Sequence, residues 1–221
     1  MKKLSFVLFI CLAPLVLKAQ QVEFGFKAGP ALSHRYLKSG HKEYAATLNA
    51  SERPILGYRL GFDVVLWPQA KWQVGTGLMY NLRGFSTNLT ITDWNGMPSD
   101  YRAGKHLHYL EVPVFLKYRF GVRENRNFYA LAGISNSFFL TKVTAVKDGT
   151  YLMLMGEEGE FRKYNVGAVF GLGLRRQLTD KILVEAGPQA TLQFDNLYDG
   201  RTPGRRYMYT VGLNLRAAYS L

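Results

Sequence analysis

Apolar and polar residues alternate along the last part of the chain. The apolar positions are Tyr207, Tyr209, Val211, Leu213, Leu215, Ala217, Tyr219 and Leu221. A repeat of two predicts a β-strand with one apolar face. This strand is about 15 residues long, whereas strands of soluble proteins usually have about 5–6. A tilted strand that crosses a bilayer needs about 9–11 residues, so the pattern predicts a membrane β-barrel.

The same alternation, interrupted by turn residues, predicts eight strands. They span residues 22–32, 55–67, 71–85, 105–121, 127–143, 161–176, 181–197 and 206–221. The connections alternate between long segments and short turns, as in outer-membrane barrels, which have short periplasmic turns and long extracellular loops. An even number of strands also leaves both chain termini in the periplasm. The sequence therefore predicts an all-β fold, an eight-stranded antiparallel transmembrane barrel in the outer membrane.

Glycines on the polar face favour this fold over a soluble, lipocalin-like barrel, whose apolar face would point inward. The polar-face glycines are Gly25, Gly29, Gly57, Gly61, Gly75, Gly77, Gly167, Gly171, Gly173, Gly187 and Gly212. Glycine weakens a solvated strand but fits a crowded concave lumen. The polar face is therefore expected to line the lumen and the apolar face to contact lipid.

The N-terminus has the pattern of a secretory signal peptide. Lys2 and Lys3 precede a short apolar run, which ends before a small residue, Ala19. The run is too short for a stable transmembrane helix. We expect cleavage after Ala19, so that residues 1–19 are the signal peptide and residues 20–221 form one barrel domain. Cys11 leaves with the signal, which excludes disulfides and cysteine-ligated metals from the mature chain.

The basic charge of the chain does not indicate nucleic-acid binding. The formal net charge is +12, but the basic residues are spread over loops, rims and the polar face instead of forming one patch. Basic loop residues such as Lys38, Lys42 and Arg53 can pair with lipopolysaccharide phosphates. The expected partners are outer-membrane lipid, lipopolysaccharide and other subunits of an outer-membrane assembly.

Charged residues on the polar faces predict a network of ion pairs in the lumen. The inward set comprises Glu23, Lys27, Arg59, Asp63, Arg83, Glu111, Lys117, Arg119, Arg175, Glu185, Asp195 and Arg216. Side chains just fill an eight-stranded lumen, and an unpaired buried charge is costly. The set is therefore interpreted as a structural plug, with a proton or ion path as the alternative. Pro113 lacks an N–H donor and predicts a bulge or local break in its ladder.

The sequence offers little support for catalysis or metal binding. His106 and His108 share one face of a strand and could chelate a metal, but no third ligand is evident nearby. The favoured interpretation is a pair of histidines at the outer rim of the membrane. No G-x-S-x-G motif is present. We therefore expect no catalytic residue, no cofactor and no metal.

Three segments resemble the PorT-like outer-membrane barrels of Bacteroidota. Phe24–Pro30 is similar to their first strand, and Tyr129-Ala130-Leu131-Ala132-Gly133 is similar to their Y-x-x-x-G motif. The most specific segment is Tyr109-Leu110-Glu111-Val112-Pro113-Val114-Phe115-Leu116-Lys117-Tyr118, which resembles their Y-L-E-I-P-L-L-L-K-Y strand. The resemblance implies an eight-stranded barrel in the outer membrane. It does not fix a function, because a fold can host many.

The function expected from these patterns is non-enzymatic. The barrel would be structural, or an accessory subunit of an outer-membrane assembly, with a closed polar lumen. Two other classes remain open: a porin-like channel for small solutes, and a membrane-embedded enzyme.

Overall fold

The chain forms one closed barrel of eight antiparallel strands, as the sequence predicts. The structure is a computed structural model that describes residues 22–39, 41–92, 98–123, 126–146, 161–198 and 204–221. The strands, each paired with its neighbours in chain order, are β1 (Val22–Lys38), β2 (Glu52–Leu66), β3 (Trp72–Thr92), β4 (Pro98–Arg123), β5 (Arg126–Val146), β6 (Tyr164–Gln177), β7 (Ile182–Gln193) and β8 (Arg205–Ser220). Pairing of β1 with β8 closes the ring.

Alternation along the strands separates an apolar outer surface from a mostly polar interior. In β8, Leu213 is 46% exposed, whereas its neighbour Asn214 is 6% exposed. The same parity exposes Phe24 and Phe26 on the outside of β1 and buries Glu23 in the lumen. A lipocalin-like barrel would have the opposite arrangement, so the exposed apolar belt identifies the surface that contacts lipid.

The short turns and both ends of the described chain lie at one end of the barrel. At the opposite end, β1 is followed by a helix, α1 (Lys42–Ser51), which the sequence did not predict in this loop. Strands β3 and β4 also extend beyond their predicted ends and pair as far as Thr92 with Pro98. By the rule for outer-membrane barrels, the end with the short turns is periplasmic.

The start of the sixth strand differs from the prediction, and the predicted signal peptide is not covered by the structure. The sequence predicted that the sixth strand begins at residue 161, but β6 begins at Tyr164, and Phe161 forms an isolated bridge with Tyr198. The predicted signal peptide, residues 1–19, lies outside the described residues. Among the residues that the structure describes, no helix is both long and apolar enough to cross a membrane.

Pro113 interrupts the ladder between β3 and β4 without changing its register. Thr76 pairs with Val114 and Met79 pairs with Glu111, while the two residues between them on each strand fall outside the ladder. A proline has no N–H to donate, so a gap in the ladder is expected beside it. The expected local break is therefore present, and the bulge that was the other expectation is not.

The facing of β8 can be tested by substitution. Leu213→Arg places a charge on the lipid-facing surface and should lower the free energy of unfolding by about 2–4 kcal/mol if the site lies near the bilayer midplane. Asn214→Ser, one residue away and inside the lumen, should have a small effect because a polar side chain is retained. Urea unfolding of the refolded barrel in lipid vesicles measures both. Equal sensitivity at the two positions would contradict the register.

Candidate functional site in the barrel lumen

Seven charged side chains meet in the periplasmic half of the lumen, and we call them the basal network. They are Glu23, Lys27, Asp63, Lys117, Arg175, Glu185 and Arg216, each at most 7% exposed. They come from six of the eight strands, and each lies near the strand end that is closest to the short turns. The closed ring brings them together, because residues far apart in the chain occupy one level of the barrel.

Arg216 is the centre of the basal network. Its Nε lies 2.8 Å from Oδ1 of Asp63 and 3.0 Å from Oδ2. Its Nη1 donates to Glu23 and lies 3.6 Å from Oε1 of Glu185. One guanidinium thus contacts carboxylates from β1, β2 and β7. Charge-assisted bonds of this kind are stronger than neutral ones, so Arg216 ties three strands to β8 from the inside.

The other cations of the network complete the coordination of the same carboxylates. Arg175 donates to Glu23 at 2.8 Å and contacts Glu185 at 3.4 Å. Lys117 donates to both oxygens of Glu185 at 2.9 Å, and the ammonium group of Lys27 lies 2.8 Å from Asp63. Each carboxylate therefore has at least two cationic partners.

A glycine and two aromatic rings shape the space around the network. A Cβ atom at Gly25 would lie 2.3 Å from Oδ1 of Asp63 and 2.4 Å from Nε of Arg216, so glycine leaves room for that pair. On the opposite wall, the Lys27 ammonium lies 4.6 Å from the centre of the Phe115 ring. The Lys117 ammonium lies 4.9 Å from the centre of the Tyr129 ring. Such contacts stabilise a cation that has lost its water.

Above the basal network is a smaller polar level, centred on Glu111. This carboxylate accepts hydrogen bonds from Asn81 at 2.6 Å and from Arg83. Arg59 lies at the same level and is 4% exposed, but its Nε and Nη2 have no hydrogen-bond partner. Beside it lies a cavity of about 20 Å³, which has room for one or two water molecules.

Apolar side chains fill the extracellular half of the lumen, and we call them the outer layer. They are Phe85, Leu107, Tyr109, Phe161, Leu197, Tyr198 and Met208. This layer was not predicted from the sequence, because the inward face was expected to be polar throughout. Strand parity could have found part of it, since Phe85 follows Arg83 by two residues and Tyr109 precedes Glu111 by two.

A buried ion pair lies within the outer layer. Nε of Arg35 donates to both carboxylate oxygens of Glu52, at 2.9 and 2.8 Å. The Arg35 guanidinium is also 3.6 Å from the centre of the Phe85 ring and donates to the Tyr198 hydroxyl. The predicted strands 22–32 and 55–67 place both residues in the first loop. Extension of β1 to Lys38 turns the first of them into the lumen instead.

Three predicted members of the network are placed differently. Arg119 lies at the periplasmic rim, where it donates to the backbone carbonyls of Gln69 and Ala70 in the turn between β2 and β3. Asp195 follows the end of β7 and pairs with Arg162 at 2.9 Å, with both side chains partly exposed. Arg59 points inward but has no ion pair within the described ranges. Arg119 and Asp195 thus lie beyond the levels where carboxylates and cations meet, whereas Arg59 lies at the level of Glu111, whose carboxylate is bonded to Arg83 and Asn81.

The histidine pair lies outside the lumen. His106 and His108 share the outward parity of Val114 in β4, and both are half-buried. Nδ1 of His108 contacts the Tyr80 hydroxyl on the neighbouring strand. No group of three or more potential metal ligands occurs in the part of the chain that the structure describes.

The barrel fold agrees with what the chain matches among known proteins. A family model described as "Outer membrane protein beta-barrel domain" matches residues 18–200. The chain belongs to this family. It is an outer-membrane protein, as the lipid-facing belt and the strand layout predicted. No curated protein matches the chain.

Several solved outer-membrane proteins are similar to the chain at low identity. OprG of Pseudomonas aeruginosa is 13% identical over 90% of this chain and 95% of its own, with a TM-score of 0.46. Ail of Yersinia pestis is 14% identical over 90% of this chain and 98% of its own, with a TM-score of 0.38. Outer Membrane Protein W of E. coli is 15% identical over 86% of this chain and 96% of its own, with a TM-score of 0.37. These similarities carry no functional assignment to the present chain.

The central role of Arg216 yields a stability prediction. Arg216→Met retains an unbranched side chain but leaves three buried carboxylates short of a cation, so the free energy of unfolding should fall by about 3–5 kcal/mol. Arg176→Met is the matched control, because Arg176 lies on the exposed face of β6. Urea unfolding in vesicles, with folding followed by heat-modifiable gel mobility, measures both variants. A loss at Arg216 no larger than at Arg176 would contradict the assigned role.

Proposed function

We propose that this protein is a non-enzymatic outer-membrane barrel whose lumen is closed to solutes, and that it serves as a structural or accessory subunit of an outer-membrane assembly. One observation carries the proposal: side chains fill the lumen at successive levels. The basal network occupies the periplasmic half, and the outer layer occupies the extracellular half. Between them, the cavity near Arg59 has a volume of only about 20 Å³.

The energetics of the basal network support a permanent plug. A solute that passed this level would have to separate Arg216 from carboxylates that lie 2.8–3.6 Å away. Removing one partner of a buried ion pair typically costs about 3–5 kcal/mol, and here several pairs share the same groups. A porin instead keeps a wide aqueous channel, which requires about 16–18 strands. The eight strands here leave no comparable width.

The same contacts support a role other than catalysis. Glu23, Asp63 and Glu185 all face the Arg216 guanidinium. A general acid or base must reach a substrate and exchange a proton with it. These groups are instead held by ion pairs deep in the lumen, beneath the outer layer. Passive transport of small solutes remains the rival function, and it requires both filled levels to open.

We further propose that the protein is a PorT-like barrel from a member of the Bacteroidota. The support is the strand-four motif, Tyr109–Tyr118, whose polar residues have distinct structural tasks here. Glu111 accepts hydrogen bonds from Arg83 and Asn81, and Lys117 donates to Glu185. Pro113 lies between them at the gap in the ladder. The motif thus spans the central and basal levels of the lumen with one strand.

Lipopolysaccharide is the lipid partner that the outer rim best fits. Lys38, Lys42, Arg53 and Arg205 are exposed at the extracellular end, and Lys38 pairs in register with Arg205 across β1 and β8. Phosphate groups form strong, charge-assisted bonds with such cations. Less lipopolysaccharide should co-purify with a Lys38→Glu, Arg205→Glu variant than with the wild type. Equal amounts would argue against this partner.

Conductance in planar bilayers tests the closed lumen and separates it from passive transport. The purified wild-type barrel should show no steady open pore. A Glu185→Ala, Arg216→Ala variant, which removes one charge of each sign, should also remain closed, because the outer layer is intact. A porin reconstituted in the same bilayers serves as the positive control. Stable, porin-like conductance by the folded wild type would overturn the proposal in favour of transport.

An accessory role is tested by isolating the tagged protein from native outer membrane in mild detergent. A partner that co-purifies at a constant ratio would support an accessory subunit. Recovery of the barrel alone, from membranes in which known outer-membrane assemblies stay intact, would leave the structural role.

A further inference from the structure

The lumen contains more buried positive charge than negative charge. Between the periplasmic rim and the outer layer, the buried cations are Lys27, Arg59, Arg83, Lys117, Arg175 and Arg216. The buried carboxylates at the same levels are Glu23, Asp63, Glu111 and Glu185. The cations therefore exceed the carboxylates by two. An uncompensated charge away from water carries a large free-energy cost, so the interior as described is short of negative charge.

One of the two excess charges is at Arg59, and the other lies in the basal network, where four cations face three carboxylates. Nε and Nη2 of the Arg59 guanidinium have no hydrogen-bond partner, although the residue is 4% exposed. Glu111 is the carboxylate that acts on it electrostatically, but Glu111 already accepts hydrogen bonds from Arg83 and Asn81. Two strong donors therefore point into the lumen without an acceptor.

The cavity at this guanidinium fits a small ion. Its polar lining consists of Arg59, Lys27, Asn81, Gln189 and Asn214, together with the carboxylates of Asp63 and Glu111. Both carboxylates are already engaged, Asp63 by Lys27 and Arg216, and Glu111 by Arg83 and Asn81. A cavity of about 20 Å³ has room for one or two water molecules. A halide ion is of that size. Sulfate and phosphate, with five heavy atoms each, are not. The space and the free donors thus select for a compact anion.

We propose that Arg59 binds a single halide ion, such as chloride, in the central cavity of the lumen. The ion accepts hydrogen bonds from Nε and Nη2 of Arg59 and offsets one of the two excess positive charges. The nearby Lys27 ammonium, which is bonded to Asp63 at 2.8 Å, adds to the positive potential. This site goes beyond the closed-barrel role, since its occupancy concerns the charge balance of the interior and not a partner or a solute path.

Refolding in different salts tests the site. The barrel is refolded from urea into detergent micelles in sodium chloride, bromide or gluconate at equal ionic strength, and thermal unfolding is followed by circular dichroism. The unfolding midpoint should be higher in chloride and bromide than in gluconate, by about 3 °C or more once the halide saturates the site. The same midpoint in all three salts would overturn the proposal.

Two variants and a control locate the effect. Arg59→Gln removes the donors, and Gln189→Glu supplies a carboxylate of the same shape to the cavity, so both should abolish the difference between halide and gluconate. Gln189→Glu should do so while raising the midpoint in gluconate. Arg176→Gln, a change on the exposed face of β6, should leave the difference as in the wild type. A halide effect that persists in Arg59→Gln would place the ion elsewhere and overturn the assignment.

Crystals of the wild-type barrel grown in bromide give a result that does not depend on any variant folding. An anomalous peak within hydrogen-bonding distance of the Arg59 guanidinium would support the site. Water alone at that position, or bromide only at surface positions, would overturn it.

Discussion

The barrel depends on one constraint: a charge that points into a narrow lumen must find its partner there. Water cannot surround a side chain that is almost fully buried, and desolvation of an ion costs more than most single contacts return. Arg216 meets this constraint by touching Glu23, Asp63 and Glu185 on three other strands. The contacts form only when all the strands have their correct register, because a slip by one residue would turn each side chain outward. The network therefore specifies the closed ring as well as filling it.

The interior resembles the core of a soluble protein more than a channel. Charges form its periplasmic part, and aromatic and aliphatic side chains form its extracellular part. Cations pack against aromatic rings in both parts: Arg35 lies over the Phe85 ring within the outer layer, and Lys27 lies over the Phe115 ring beside the basal network. Cations packed against rings allow polar and apolar levels to adjoin without a water-filled gap.

Sequence periodicity was sufficient to predict the strand number, the lipid-facing surface and the inward facing of all seven residues of the basal network. Parity along a strand determines the face, so Lys117 and Glu185 could be placed inside without knowing their partners. Parity does not give the position of a residue along the barrel axis, however. Arg119 lies closer to the periplasm than the basal network, although it shares the face of Lys117. The position along the axis depends on the shear of the closed ring, which is a property of all the strands together.

The outer layer was missed for a different reason. The inward face was expected to be polar throughout, although Phe85 and Tyr109 lie inside the predicted strands. Arg35 was placed in a loop because β1 continues beyond the length that alternation suggested. The helix α1 was also missed, as it is a single short element between two strands with a weak apolar pattern. Pairing with neighbouring strands, and not local sequence, determines where these strands end.

Reactivity of a cysteine placed inside the lumen tests most directly whether the interior is a packed core. The single cysteine of the chain, Cys11, lies in the predicted signal, so a chain produced from residue 20 carries none. Ser135→Cys is a small change at an inward position of β5 that is 0% exposed, and Lys38→Cys at the exposed extracellular end is its control. A water-soluble maleimide should label Lys38→Cys in the folded barrel and label Ser135→Cys only after unfolding. Equally fast labelling of the two folded variants would contradict a packed lumen.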